Sequence, residues 1–261
     1  MSNQNAADVA FDLSEEESAP QSYVAELKPK RSLEQPAVEA TAPAPKTDRV
    51  EVSAAHRLVR ALVDAGVETF FGIPGGPVSP VFDAILHTEG ARLIESRHET
   101  SAAFAAADYY RASGRIPAVV VTAGPGATNA VTGIVSAHLE RVPMLVICGD
   151  VAWAAEGGRL LQDSGPDGIG VEKMLGHVMR ATIRVTQAKT ATARGLAALG
   201  AASDPANPGP ALLVLPIQFG RASAPLSVVT APPREFVARA PEEVVQATAE
   251  LLANAERPLL V

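Results

Sequence analysis

From residue 49 to about residue 220, short and nearly continuous apolar runs alternate with segments whose apolar residues recur at helical spacing. That alternation restricts the chain more than any other feature. Strands apolar on both faces must be covered on both faces, and intervening helices supply the cover. Val52, Ala55, Leu58, Val59, Leu62 and Val63 form the first helical stripe, with Gly66 as its stop. Strands are expected at 68–73, 91–95, 118–122, 144–148, 181–185 and 211–215. Helices are expected at 78–87, 98–113, 127–139 and 190–202, with an irregular glycine-rich stretch after residue 148. The expected fold class is α/β, a mostly parallel sheet flanked by helices on both faces. Right-handed crossovers then gather the strand ends and their loops along one edge, where such sheets bind ligands.

The flanks have a different character. Residues 1–48 hold five prolines and nine acids against four bases, so the net charge of -7 resides mostly there. Such a segment buries too little apolar surface to offset the entropy of ordering it, and a disordered acidic Pro/Ala-rich arm is expected. Residues 221–261 read as a linker, a helix at 242–253 and a strand at 257–261. They suggest either the start of a truncated or split second domain or elements that pack back on the main one.

Several function classes are disfavoured. The near-neutral folded part lacks the basic surface that nucleic acid requires. One cysteine, Cys148, precludes an intrachain disulfide framework, and it reads as a small buried hydrophobe. No secretory signal and no apolar run of membrane-spanning length is visible, so a soluble cytoplasmic protein is expected. The histidines, His56, His87, His98, His138 and His177, show no metal-binding spacing, and no protein-built metal site is expected.

Two glycine-rich turns and one acid stand out. Phe71-Gly-Ile-Pro-Gly-Gly-Pro77 follows the first expected strand, and Thr122-Ala-Gly-Pro-Gly-Ala-Thr-Asn129 joins the third to a helix. Neither matches a dinucleotide fingerprint or a P-loop. Each is open to two readings: a tight structural turn, or a loop that lets a ligand approach the backbone. Glu99 falls at an expected helix start, where an acid ordinarily stabilises the helix by about 0.3–1 kcal/mol. The same place would also aim it into a ligand crevice, and a carboxyl shielded from water can exchange protons near neutrality.

Taken in order, Val67-Glu-Thr-Phe-Phe-Gly-Ile-Pro-Gly-Gly76, Glu95-Ser-Arg-His-Glu-Thr-Ser-Ala-Ala103, the stretch from Val121 to Gly133, Val142-Pro-Met-Leu-Val-Ile147 and Asn207-Pro-Gly-Pro-Ala-Leu-Leu-Val-Leu-Pro216 carry a resemblance. The chain resembles the N-terminal pyrimidine-binding domain of thiamine diphosphate-dependent enzymes of the acetolactate synthase, pyruvate oxidase and benzoylformate decarboxylase superfamily. The resemblance implies thiamine diphosphate as cofactor and Glu99 as the catalytic residue, hydrogen-bonded to N1′ of the aminopyrimidine to promote proton loss from the thiazolium. It further implies cofactor contacts from Ile73, Pro74, Gly75, Gly124, Pro125, Gly126 and Asn129. Leu161 and Gln162 match the substrate entrance, although acetolactate synthases carry an aromatic at the place of Leu161.

Other departures are Asp108, where the family has a small residue, and Glu140, where it has a shorter acid. The family holds the diphosphate through Mg2+ on a second domain bearing G-D-G. Gly149-Asp150-Val151 is not that motif, and no metal ligand is assigned in this chain. The resemblance therefore implies a partner subunit carrying the diphosphate-binding domain and the Mg2+ site, in a heterotetramer of two of each chain. The expected activity is decarboxylation of a 2-oxo acid, with carboligation as the favoured outcome. The alternative is a non-catalytic binding or regulatory subunit that retains the fold.

Overall fold

The structure, a computed structural model, describes residues 52–224 and 240–258. The expected acidic arm lies outside the described residues, as do most of the linker and the last three residues of the expected strand at 257–261. Six strands form one all-parallel sheet: β1 (Thr69–Gly72), β2 (Arg92–Glu95), β3 (Ala118–Val121), β4 (Met144–Asp150), β5 (Thr182–Arg184) and β6 (Pro210–Pro216). Their spatial order is β2-β1-β3-β4-β6-β5. Central strands β1, β3, β4 and β6 are buried at every residue, as their unbroken apolar runs predict. The edge strands β2 and β5 are half-exposed.

Helices α1 (Ala54–Asp64), α2 (Ser79–Leu86) and α6 (Ala191–Ala202) bury their apolar faces in one core layer, around Leu58, Leu62, Phe70, Ile85 and Leu213. α3 (Glu99–Ser113), α4 (Pro125–Leu139) and α5 (Val171–Leu175) contribute to a second layer, around Phe71, Ile134, Met144, Val146 and Leu212. A small-residue seam lets α3 and α4 pack closely. A Cβ on Gly133 would stand 2.5 Å from the Ala103 Cβ, so any larger residue there would force the helices apart.

Sequence and structure differ in places. α4 starts two residues before the expected position, because Pro125 suits a first helical turn, where its missing N–H leaves nothing unsatisfied. β4 runs on to Asp150 because a buried ion pair, described below, satisfies that acid inside the protein. Residues 76–78 make a 3-10 turn ahead of α2 rather than opening it. The short helices α5 and α7 (Ile217–Arg221) carry too little periodic pattern to read from sequence. α8 (Glu242–Asn254) matches the expected C-terminal helix and has no buried residue. Among the described residues, no helix is long and apolar enough to cross a membrane.

Strand order locates a crevice. β1 is followed by β2 on one side, whereas β3 pairs on the other side of β1. The crossovers leaving β1 and β2 thus run in opposite directions, and right-handedness sends their helices to opposite faces. Between the carboxyl ends of β1 and β3 the following loops diverge, which opens the sheet edge to a ligand. The two loops are the glycine-rich turns after Gly72 and after Val121.

Candidate active site

Glu99 is the first residue of α3 and is 8% exposed. His98 caps the helix, its Nδ1 accepting from the Thr100 backbone N–H at 3.2 Å, which fixes where the Glu99 side chain leaves the chain. The carboxylate is held from α4: Asn129 Nδ2 donates to Glu99 Oε2 at 3.1 Å. Thr100 in turn donates its hydroxyl to the Asn129 carbonyl, so the two helix starts are tied together twice.

The glycine loops close around this acid. A Cβ on Gly126 would lie 2.8 Å from Thr122 Cγ2 and 3.4 Å from Glu99 Oε1. One on Gly75 would lie 2.5 Å from both Thr122 Cβ and Oγ1. Gly75, Thr122, Gly126 and Glu99 therefore meet at one place, and only glycines fit at two of the four positions. Thr122 Oγ1 is buried there and has no hydrogen-bond partner among the described residues. A buried hydroxyl without a partner is costly, and in a site it marks a polar group still to be supplied.

The irregular stretch after β4 forms the third wall. Gly124 has φ +65, and a Cβ on it would stand 2.2 Å from the Leu161 carbonyl oxygen. Gly124 N–H also donates to Ser164 Oγ at 2.9 Å. Gln162 lies over the first loop, its Oε1 3.9 Å from a Cβ on Gly76. Leu161 projects outward at 80% exposure. Ile73 and Pro125 are half-buried, whereas Pro74 is exposed. The expected site residues thus assemble from three loops.

What anchors the third wall is not legible from sequence. Asp163 accepts backbone N–H groups of Gly157 and Gly165, both at 2.8 Å. Asp150 accepts those of Val151 at 2.8 Å and Ser164 at 2.9 Å. Arg184 Nη1 donates to Asp150 Oδ2 at 2.6 Å, and its Nε and Nη2 grip Glu172 at 2.5 and 2.9 Å. Burial opposes the Arg184 charge, yet its hydrogen bonds to Glu172 and Asp150 outweigh it and raise the guanidinium pKa. Asp150 is therefore a structural counter-ion. Thr122 and Ser164 are likewise not legible, since a threonine or serine in a loop carries no distinguishing pattern.

Asp108 is not at a packing position. Its side chain is exposed on α3 and accepts from Arg111, which also donates to Glu140 beyond the end of α4. Both departures from the family pattern thus converge on one arginine. The Ser136 hydroxyl and then Arg111 hold the Glu140 carboxyl below its ordinary value.

These residues suit an aminopyrimidine ring. They offer a shielded carboxylate for a ring nitrogen, an unpartnered hydroxyl, and glycines that admit a flat group against the backbone. Comparison with known proteins agrees. Residues 52–171 match the family described as thiamine pyrophosphate enzyme, N-terminal TPP binding domain. The chain is 44% identical over 117 residues to an acetolactate synthase large subunit of Lactococcus lactis, covering 45% of this chain and 20% of that protein. It is 37% identical over 217 residues to that of Parasynechococcus marenigrum, covering 80% of this chain and 34% of the relative. The isozyme 2 large subunit of Escherichia coli K12 is 33% identical over 209 residues, covering 80% of this chain and 37% of the relative. The chain thus spans well under half the length of these relatives. On its sheet order, its crevice and these matches, the stretch from residue 52 to 171 belongs to the N-terminal TPP binding domains of thiamine pyrophosphate enzymes, of acetolactate synthase-like type.

Proposed function

We propose that this chain is the pyrimidine-binding component of a thiamine diphosphate-dependent enzyme that decarboxylates a 2-oxo acid and transfers the activated carbon to an acceptor carbonyl. The observation that carries the proposal is the buried Glu99 carboxylate, fixed by Asn129 beside the unpartnered Thr122 hydroxyl. When bound, thiamine diphosphate supplies the thiazolium carbon that attacks the substrate and the ring that stores its electrons. The chain's residues do the rest. Glu99 holds a proton at a carboxyl oxygen facing the aminopyrimidine, and Asn129 keeps the other oxygen from rotating away. Thr122 offers a hydroxyl to the same ring, while Gly75 and Gly126 leave room for it. Ile73 and Pro125 flank the ring, with Pro74 and Gly124 shaping the loops, and Leu161 and Gln162 border the substrate entrance. Shielding from water keeps the proton on this short path.

A diphosphate-binding domain on a separate chain, carrying Mg2+, completes the crevice in this proposal, as a heterotetramer of two of each chain. A purely regulatory subunit is the second reading; the departure at Asp108 does not favour it, because that side chain is exposed and pairs with Arg111.

The decisive experiment measures 2-oxo acid turnover and thiamine diphosphate binding by the purified chain alone, and then mixed with a polypeptide bearing G-D-G and its following asparagine. Turnover only in the mixture, lost in Glu99→Gln, is the expected result. Full turnover by the isolated chain would overturn the two-chain arrangement. Normal turnover by the assembled Glu99→Gln protein would overturn the catalytic assignment.

A further inference from the structure

On the opposite core layer, a second group of side chains converges without any part in the site above. His56 lies in the first turns of α1, Asp83 in α2, and His87 caps the end of α2. One ligand atom from each lies within 4.8 Å of the other two. His56 Nε2 is 3.8 Å from Asp83 Oδ2, and His87 Nδ1 is 3.3 Å from Asp83 Oδ1. Linear spacing hides this group, because His56 comes from a different helix and a distant part of the chain.

We propose that His56, Asp83 and His87 form a binding site for a divalent transition metal of the Zn2+ type. Two imidazoles and one carboxylate are the donor set such borderline ions favour, and three protein ligands with one open position is a recurrent zinc arrangement.

The surroundings fit in three respects. Ser53 Oγ lies 2.9 Å from His56 Nδ1, and Nε2 is the ring nitrogen on the Asp83 side; with the proton on Nδ1 donated to Ser53, the Nε2 lone pair is available to a metal. Outer hydrogen bonds of this kind set the tautomer and orientation of metal-binding histidines. His87 sits at the carboxyl end of α2, where the helix dipole favours a cation. Asp83 and His87 are exposed and stand at i, i+4 on one helix, so small rotamer changes draw them together at little cost.

His87 Nδ1 lies 2.8 Å from the Asp83 carbonyl oxygen. Binding requires that His87 carry its proton on Nε2 and surrender that contact. A cavity of about 540 Å³ adjoins the group, lined also by Ser53, Ser79, Pro80 and Arg221. It leaves room for water or a small anion beside His56 and Asp83, and Arg221 on its wall offers a positive charge.

The test is Zn2+ titration of the untagged full chain by calorimetry against a competing chelator, with Co2+ absorption as a readout of geometry. One equivalent should bind, and His56→Ala, Asp83→Asn and His87→Gln should each weaken it by about tenfold or more. The visible Co2+ band of tetrahedral coordination should vanish in both histidine variants. His87 and Asp83 are exposed, so their variants should fold, as circular dichroism would confirm. Uptake no greater than that of the triple variant, or affinity that depends on fewer than two of the three residues, would overturn the proposal.

Discussion

Asn129 of α4 donates its side-chain amide to Glu99 Oε2 at 3.1 Å, so one oxygen of the buried acid is held by the protein, and in the proposed function the other faces the cofactor. A carboxamide at position 99 keeps the size but cannot take up or release the proton. Glu99→Gln should preserve assembly and lower turnover by about 10²–10⁴-fold. Hydrogen–deuterium exchange at C2 of the bound cofactor, followed by NMR, should slow in parallel. Asn129→Ala removes only the anchor, so its loss should be the smaller of the two. Equal losses would place the proton elsewhere.

Gly126 tests whether the crevice is shaped by steric fit. Its missing Cβ would press on Thr122 Cγ2 at 2.8 Å, while the Glu99 oxygen at 3.4 Å could stay. Gly126→Ala should therefore weaken cofactor binding by displacing Thr122. Adding Thr122→Ser removes the offending methyl and keeps the hydroxyl, so the double variant should recover much of the affinity. Calorimetric titration of the assembled protein measures both. No recovery would mean that the glycine serves some other need.

How much of this was readable beforehand follows from what each feature rests on. The six strands were legible because each apolar run is bounded by a turn or a polar residue, and burial requires such runs. The crevice followed from the glycine turns lying after the first and third strands. Sequence leaves Glu99 and both glycine turns open between a structural and a ligand-contact reading; the neighbours that favour contact for Glu99, Asn129 and Thr122, come from another segment. The Arg184–Asp150–Glu172 group was invisible because it joins three segments through side chains that look like ordinary surface charges. The grouping of His56, Asp83 and His87 is not legible for the same reason: periodicity reports the face a residue occupies, not which other helix meets it there.

The Arg184 group gives a stability prediction. Asp150 is almost fully buried, with its side chain 2% exposed, and Arg184 is its counter-charge. Arg184→Met keeps much of the volume but strands that acid, which costs about 3–5 kcal/mol when a buried partner is removed. Thermal unfolding should move down on the order of 10 °C. Because Asp150 also holds Ser164, whose hydroxyl receives the Gly124 N–H, cofactor affinity should fall as well. Normal affinity with reduced stability would uncouple the third wall from the site.

Cys148 gives a pH prediction. It is fully buried at the end of β3's neighbour β4, and burial pushes the thiol up from 9.0 to about 12. Its thiolate is thus disfavoured in the folded chain but free to form once the chain unfolds. Below pH 9 the group contributes nothing to the pH dependence, since both states hold the proton. Between pH 9 and about 12 the unfolded state ionises first, so stability should fall as pH rises through that window. Cys148→Ala leaves a cavity and should lower the urea midpoint at pH 8. From pH 8 to pH 10.5, however, the wild type should lose more stability than the variant, so the gap between them should shift in the variant's favour. A thiol reagent at pH 8 should leave the folded protein unlabelled and modify one site after denaturation. Rapid labelling of the native chain would mean that β4 opens far more readily than its burial implies.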